Sequence, residues 1–201
     1  TLATNFDSLA NVDDGSCVFP NNIGCTDSLA TNYDPIFTVD DGSCIYPLPP
    51  MADLFFSEYA EGNSSNKYLE IYNPTLDTVD LSAYAFPSVG NAPTTVGVYE
   101  YWNDFPAGAQ ILPNDVYIIA HPYADPYILS FADHTHTYLS NGDDGYALVY
   151  GVNPGTPVDP VTGGYVIMDF IGDWNGDPGS GWAVAGVSNG TANHTLVRKC
   201  D

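Results

Sequence analysis

The sequence predicts a mainly β protein, an antiparallel β-sandwich preceded by small, loop-rich repeats that a disulfide bond holds together. Three observations lead to this fold class. The 201 residues include 19 Gly and 16 Pro, which favour turns over helices. Asp outnumbers Glu by 21 to 4, and Asp favours turns whereas Glu is the better helix former. Short alternations of apolar and polar residues recur between the turns, as expected of half-buried strands.

The chain opens with a tandem repeat. Residues 2–20 and 29–47 are identical at 12 of 19 positions, and both contain the string VDDGSC. The chain begins inside the first repeat, 27 residues out of phase with the second, so we expect it to be a piece of a longer protein. The predicted organisation is a partial repeat over 1–20, a complete repeat over 21–47, a Pro-rich linker over 48–51 and a β domain over 52–201.

The cysteines suggest what holds so short a repeat. About 20 residues bury too little apolar surface to offset their ordering entropy, so such units need cross-links or metals. Cys25 and Cys44 bracket the complete repeat, and closing that loop contributes about 3 kcal/mol on the loop-entropy model. Cys17 would then pair with a cysteine before residue 1, although a bond between Cys17 and Cys25 is an alternative. Cys200 has no obvious partner, and disulfides favour an extracellular or cell-surface location.

The acidic residues of the repeats predict calcium as a cofactor. Hard oxygen ligands spaced two to seven residues apart, with a Gly to turn the chain, suit Ca²⁺. The alternative is that VDDGS forms an ordinary Asx turn and that the acids keep the surface solvated. The candidate ligands are Asp27, Asn32, Asp34, Asp40 and Asp41 in the second repeat, and Asn5, Asp7, Asp13 and Asp14 in the first.

Strand patterns fill the rest of the chain. In KYLEIYN, Leu69 and Ile71 alternate with polar or aromatic neighbours, which predicts one buried face. The residues predicted to be buried are Leu69, Ile71, Val116, Ile118, Leu148 and Ile167. Eight windows are predicted as strands, namely 53–60, 67–73, 79–86, 96–102, 115–121, 145–151, 165–172 and 194–199.

Several of these motifs are similar to a known family. The strings SEYAEGNSSNKYLEIYN, VDLSAYAF, NGDDGYALV, IMDFIGD and NHTLVRK resemble the bacterial branch of the lamin-tail domain. The resemblance covers nearly all of residues 52–199 and implies an immunoglobulin-like β-sandwich. GCTDSLATNYDPIFTVDDGSC resembles short Cys-bounded acidic repeats of secreted multidomain bacterial proteins. Lamin-tail domains accompany nucleases, adhesins and structural proteins, so the resemblance implies a fold and not an activity.

Three other groups of polar residues are candidate sites with ordinary alternatives. Glu58, Glu61 and Glu70 could form a cation site or pair with Lys67, but solvated strand faces are favoured. NGDDG at 141–145 is predicted to be a hairpin loop, although its acids could bind a ligand. The pair of His134 and His136 could bind a metal, and a polar loop is favoured because no third ligand is evident.

The aromatic residues suggest a ligand platform. Trp174 lies in the Gly-rich string GDWNGDPGSGW, which predicts an exposed ring onto which a sugar could stack. The alternative is a core role, which is usual for aromatic residues in sandwiches. Sequons at Asn63, Asn189 and Asn193 predict N-linked glycans in a host that modifies them.

The net charge and the absence of known catalytic motifs from the sequence limit the classes of function that can be expected. The formal net charge is −22, with Lys67, Arg198 and Lys199 the only Lys and Arg residues, so nucleic acid is not an expected partner. No run approaches the roughly 20 apolar residues of a membrane span. Nucleophile-elbow, phosphate-loop and zinc motifs are missing, so no catalytic residue is predicted.

These observations predict a non-catalytic, extracellular structural or adhesive module of a larger secreted or surface protein, with calcium-stabilised spacer repeats. Its expected partners are other domains or copies of that protein, for example in a fibre or sheath, or glycans. The alternative is an accessory carbohydrate-binding domain of a secreted hydrolase or nuclease.

Overall fold

A computed structural model describes residues 22–46, 51–139 and 141–199, together with positions 9, 11 and 12. The chain divides into two compact units, Thr1–Leu48 and Pro49–Asp201, which we call the N-terminal unit and the C-terminal unit. Predictions about Asn5, Asp7, Asp13, Asp14, Cys17 and Cys200 fall outside the described residues.

The N-terminal unit is built from turns. Ile23 and Val39 form an isolated parallel bridge, and the predicted disulfide joins Cys25 to Cys44 over a separation of 19 residues. This bond excludes the alternative of Cys17 with Cys25. Within residues 22–46, burial is confined to Gly24, Cys25 and Ala30. The segment therefore has almost no apolar core.

The C-terminal unit is mainly β, as predicted. Its helices, among the described residues, are single turns: η1 (Leu81–Ala83), α1 (Pro126–Leu129) and α2 (Pro160–Gly163). Its strands are β1 (Phe55–Glu61), β2 (Lys67–Tyr72), β3 (Val79–Asp80), β4 (Tyr84–Ala85), β5 (Ser88–Val89), β6 (Gln110–Ile111), β7 (Val116–Ala120), β8 (His134–Thr135), β9 (Gly145–Tyr150), β10 (Val166–Ile171) and β11 (Thr195–Val197).

The strands form three sheets. A five-stranded sheet has the order β11-β1-β2-β7-β8, and a four-stranded sheet has the order β10-β9-β4 with β5 also paired to β9. Strands β3 and β6 form a two-stranded sheet. The strand pairs are antiparallel except β7 with β8, which is parallel. That pair departs from the prediction of antiparallel pairing throughout.

Strand β9 lies at the centre of the packing because both of its faces are buried. Tyr146 and Leu148 belong to a large cluster that also contains Leu69 and Ile71 of the five-stranded sheet. The alternate residues Ala147 and Val149 belong to a second cluster with Tyr99, Tyr165 and Trp174. The continuous apolar run GYALVY is what a strand covered on both faces requires. The two large sheets thus share one core, and the second cluster covers the other face of β9.

Three of the six predicted core residues are buried, namely Leu69, Ile71 and Leu148. On β7 the prediction chose the wrong face: Val116 and Ile118 are half-buried, whereas Tyr117 and Ile119 are buried. Both faces of this strand are apolar, so alternation alone could not assign the core side. Ile167 is half-buried beside a register shift in β10.

The predicted strand 96–102 is wrong. This segment contains a turn in which Gly97 has φ +79°, followed by a single bridge between Ser88 and Tyr101. The left-handed backbone at Gly97 interrupts an extended chain, so the apolar alternation here does not produce a strand.

Candidate ligand-binding cleft

The acidic side chains of the second repeat cap turns. Four aspartates each accept a hydrogen bond from the backbone N–H two residues further on, at 2.9–3.0 Å. They are Asp27, Asp34, Asp40 and Asp41. These are the Asx turns given above as the alternative to calcium ligands. In the described residues, no three His, Cys, Asp or Glu side chains converge as a metal site, so calcium in the repeats stays a prediction.

The side chain of Asn32 links two segments of the second repeat by hydrogen bonds. Its amide donates to the carbonyl of Ser43 at 2.7 Å, and its oxygen accepts from the backbone N–H of Ile45 at 2.8 Å. The hydroxyl of Tyr46 donates to Asp27 at 2.8 Å. The pKa of Asp27 is lowered first by the Leu29 N–H and then by this hydroxyl. Hydrogen bonds and one disulfide therefore replace a core.

Trp174 does not form an exposed platform. Its side chain is 1% exposed and belongs to the second cluster of the C-terminal unit. The ring packs edge-on against Phe170 and Tyr99 at centroid distances of 5.2 and 6.1 Å, and its carbonyl accepts from the N–H of Gly97. The Gly-rich loop folds back onto the sheet, so the prediction that the Trp174 ring is exposed is wrong.

A different part of the C-terminal unit holds a cleft of about 750 Å³. This volume is in the range of small-molecule sites. Its lining is rich in aromatic and polar side chains. The main contributors are Asn91, Tyr99, Glu100, Tyr101, Trp102, Asn103, His136, Tyr138, Asp144, Tyr146 and Asn153.

Trp102 is the fixed ring of the cleft. It is half-buried and packs edge-on against Tyr99 at 5.2 Å and Tyr165 at 5.3 Å. Its indole N–H donates to Asp104 at 2.7 Å. Because two rings and a hydrogen bond hold the indole, it can offer its remaining surface to a ligand without losing much side-chain entropy.

Two exposed aromatic rings also line the cleft. Tyr101 is 61% exposed and Tyr138 is 74% exposed, although both line the cleft. The ring of His136 packs against Tyr138 at 5.8 Å and against Phe86 at 5.2 Å. Burial, and then the charges of the other histidines, lowers the pKa of His136 to about 4. At neutral pH His136 is therefore uncharged and adds a neutral ring to the lining.

The charges around the cleft are negative. Glu100 and Asp144 line it, whereas none of the three Lys and Arg residues does. Glu100 accepts hydrogen bonds from the N–H and hydroxyl of Thr94 and from the N–H of Gly90. These three hydrogen bonds stabilise its negative charge. A cleft of this kind disfavours phosphates and other anions and can accept hydroxyl groups.

The NGDDG loop borders the cleft through Asp144, and its residues 142–145 are buried, unlike those of an ordinary hairpin loop. Asp143 and Asp144 are each 4% exposed. A side chain at Gly142 would collide with the backbone of Ala192 at 2.6 Å, and one at Gly145 would collide with the carbonyl of Asp173 at 2.3 Å. The two glycines thus let neighbouring segments approach closely enough to cover the carboxylates between them.

The remaining predicted sites have local partners. Glu61 forms an ion pair with Lys67 and is buried, while the Glu58 carboxylate accepts from the hydroxyl of Tyr68 and that of Glu70 from Ser57. One of the alternatives given for these acids, pairing with Lys67, thus holds for Glu61.

The histidine pair lies at a short strand. His134 is in β8, and the Nδ1 of His134 and the Nε2 of His136 are buried without a hydrogen-bond partner. Both rings pack edge-on against Phe86. Among the described residues no third His, Cys, Asp or Glu joins them as a metal ligand.

The sequence does not predict the cleft, because the lining residues come from three separate segments, near residues 88–103, 136–146 and 153–157.

Compared with known protein families and with curated proteins, the chain matches none. The described part of the chain also contains no helix long and apolar enough to cross a membrane.

Proposed function

We propose that the chain is a non-catalytic, extracellular adhesive module of a larger secreted or surface protein, and that its C-terminal unit binds carbohydrate through the cleft. The observation that carries the proposal is that one cleft is lined by the fixed indole of Trp102 and by the exposed rings of Tyr101 and Tyr138. Aromatic side chains offer apolar faces with little loss of conformational freedom on binding, which suits the C–H faces of a sugar ring.

The polar lining narrows the ligand class. Amide and carboxylate groups at Asn91, Asn153 and Asp144 line the same space, and such groups can exchange hydrogen bonds with sugar hydroxyls. Since neither Lys nor Arg lines the cleft and the chain charge is −22, sulfated or uronic-acid-rich chains would be repelled. We therefore propose a neutral or amino sugar as the ligand.

The same proposal places the C-terminal unit in the lamin-tail family as an immunoglobulin-like sandwich. The shared core of its two large sheets supports a layered β fold, and the motifs named above support the family. The disulfide supports an extracellular location, because such bonds persist in oxidising compartments.

The N-terminal repeats would act as spacers, with calcium adding to the disulfide. What supports calcium is the density of acids in a segment without a nearby Lys or Arg residue in the sequence. Hydrogen exchange of residues 22–46 in the full chain, measured with millimolar Ca²⁺ and then with chelator, tests this. Ca²⁺ should raise the protection of this segment in the unsubstituted chain. In a variant with both Asp40→Asn and Asp41→Asn, Ca²⁺ should leave the protection unchanged.

The carbohydrate proposal is tested by binding of the full chain to a panel of neutral, amino and acidic polysaccharides, followed by calorimetry. Trp102→Ala should weaken binding by about 10- to 100-fold, since a central aromatic anchor is typically worth 1.4–2.8 kcal/mol or more. Tyr123→Ala is the matched control, because Tyr123 is 80% exposed and does not line the cleft.

Tyr138→Ala removes an exposed ring without opening the core, so it tests the cleft even if Trp102→Ala does not fold. Retention of acidic chains in preference to neutral ones, or binding that neither substitution weakens, would contradict the proposal. A protein that binds no saccharide yet self-associates would point to a purely structural role.

A further inference from the structure

Three buried carboxylates lie near Tyr59 in the C-terminal unit. Glu61 is 8% exposed, and Asp143 and Asp144 are 4% exposed each. All three act on the same phenol: burial, followed by the charges of Glu61, Asp144 and Asp143, raises the pKa of Tyr59. All three acids therefore lie near the Tyr59 side chain.

Glu61 has its own counterion. One of its oxygens pairs with the ammonium of Lys67, and the other accepts from the backbone N–H of Asn193. Glu61 and Lys67 thus compensate each other's charge. The other two buried acids, Asp143 and Asp144, are adjacent in the NGDDG loop.

Asn91 connects these two acids. Its side-chain amide donates to Oδ2 of Asp143 at 2.8 Å, and its backbone N–H donates to Oδ1 of Asp144 at 3.3 Å. Both carboxylates thus converge on one residue. The second oxygen of Asp143, Oδ1, is buried in the same place and has no hydrogen-bond partner.

Among the described residues, no Lys or Arg forms an ion pair with Asp143. Lys67 pairs with Glu61, Arg198 pairs with Asp169, and Lys199, which is exposed, forms no ion pair within the described residues. These are the only Lys and Arg residues in the sequence. A buried carboxylate with an empty acceptor site is costly unless a cation or a proton compensates it.

We propose that Asp143 and Asp144, together with Asn91, bind a calcium ion at the edge of the cleft. Two carboxylates do not make a complete site by themselves, and no three acidic or histidine side chains converge in the described residues. Ca²⁺ accepts such a set because it takes six to eight oxygens and readily includes amide and backbone carbonyl oxygens and waters. The unpartnered Oδ1 of Asp143 is the first ligand.

The site has a consequence for the cleft, because Asn91 and Asp144 also line it. A bound ion would fix both residues. The inference does not depend on the carbohydrate proposal, since its experiment measures the ion alone.

The experiment is calorimetric titration of Ca²⁺ into the full, chelator-treated chain. To remove the contribution of the second repeat, the parent protein carries Asp40→Asn and Asp41→Asn. Against this parent, Asp143→Asn should abolish one binding event or weaken it at least 10-fold, whereas Asp53→Asn, which replaces an exposed acid, should leave the titration unchanged. An affinity of about 10⁻⁴–10⁻³ M is typical of extracellular calcium modules.

A crystal of the unsubstituted chain soaked in Tb³⁺, a luminescent and anomalously scattering substitute for Ca²⁺, gives a second measurement that needs no variant. An anomalous peak within coordination distance of Asp143 Oδ1 is expected. Identical titrations for the parent and Asp143→Asn, or a soaked crystal without density at this oxygen, would overturn the inference and leave a proton as the compensating charge.

Discussion

The two units of this chain are stabilised by different means. Within residues 22–46, seven large apolar side chains are exposed, among them Leu29 at 77% and Ile45 at 60%. In the C-terminal unit, Leu69, Ile71 and Leu148 have no exposed surface at all. The first segment depends on a disulfide and on side-chain hydrogen bonds to the backbone, whereas the second depends on burial.

The difference follows from length. A loop of about 20 residues cannot enclose a core, so covalent closure must limit its unfolded state. A unit of about 150 residues can enclose one, and there the hydrophobic effect dominates. Substitutions should therefore affect the stability of one unit at a time.

The largest effect is expected from Trp174→Ala. Removing a fully buried indole leaves a cavity and costs about 3–5 kcal/mol, which would lower the melting temperature of the C-terminal unit by roughly 10 °C. Calorimetry of the full chain checks this, with Tyr123→Ala as an exposed control. A loss below 1 kcal/mol would show that this ring is not part of the core.

Replacing both Cys25 and Cys44 by Ser should cost the N-terminal unit about 3 kcal/mol. Because the remaining contacts are hydrogen bonds at exposed positions, we expect residues 22–46 to lose their order. Hydrogen exchange followed by mass spectrometry should show loss of protection in this segment only. Unchanged protection would mean that the hydrogen bonds suffice without the cross-link.

A smaller effect is expected from Asn32→Ala, which removes both bonds to the segment that contains Ser43 and Ile45. The cost should be about 1–2 kcal/mol. Asn32→Asp keeps an acceptor for the Ile45 N–H but loses the donor to Ser43, so it should show roughly half of the loss. Equal exchange rates in both variants would indicate that only one of these bonds contributes.

The smallest effect on the stability of the C-terminal unit is expected from lowering the pH. Burial lowers the pKa of His136 to about 4, below its unfolded value of about 6.5, so the unfolded state binds the extra proton first. The C-terminal unit should therefore lose stability as the pH falls from about 6.5 to 4. We expect a loss of about 1 kcal/mol, since water reaches part of the ring. His136→Asn should flatten this slope in thermal melts.

The N-terminal unit should respond to acid over a different range. Hydrogen bonds lower the pKa of Asp27 and of Asp41, so their contribution is complete above their ordinary value of 3.8 and is lost as the pH falls below it. Hydrogen exchange of residues 22–46 between pH 7 and 4 should change little. Loss of protection already at pH 5 would contradict this order.

The sequence allowed prediction where the determining contacts are local. The disulfide follows from a repeat whose ends carry Cys25 and Cys44, and the buried face of β2 follows from unambiguous alternation at Leu69 and Ile71. On β7 both faces are apolar, so the choice depended on packing that no short window contains. Trp174 shows the same limit, because a Gly-rich string does not reveal whether its loop points outward or folds over a sheet.

The cleft was unpredictable for a related reason. One of the two rings that hold Trp102 belongs to Tyr165, more than 60 residues away in the sequence. The carboxylates of NGDDG are buried because a distant segment near Ala192 covers Gly142. Neither arrangement leaves a pattern within one window of the sequence.

The ion pair of Arg198 has a mechanical consequence. Strands β1 and β11 are antiparallel, with Glu58 opposite Val197 and Ala60 opposite Thr195, so the start of β1 and the end of β11 lie at the same end of the pair. A pulling force applied at residues 51 and 199 would peel β11 from β1, breaking one hydrogen bond after another.

Arg198 stands where that peeling would start. Its guanidinium donates to the carbonyl of Phe56 and to Asp169 of β10, while its backbone N–H donates to Ser57. The force needed to detach β11 would thus be set by one arginine that ties it to both large sheets, and forced unfolding is governed by the rate of that first step.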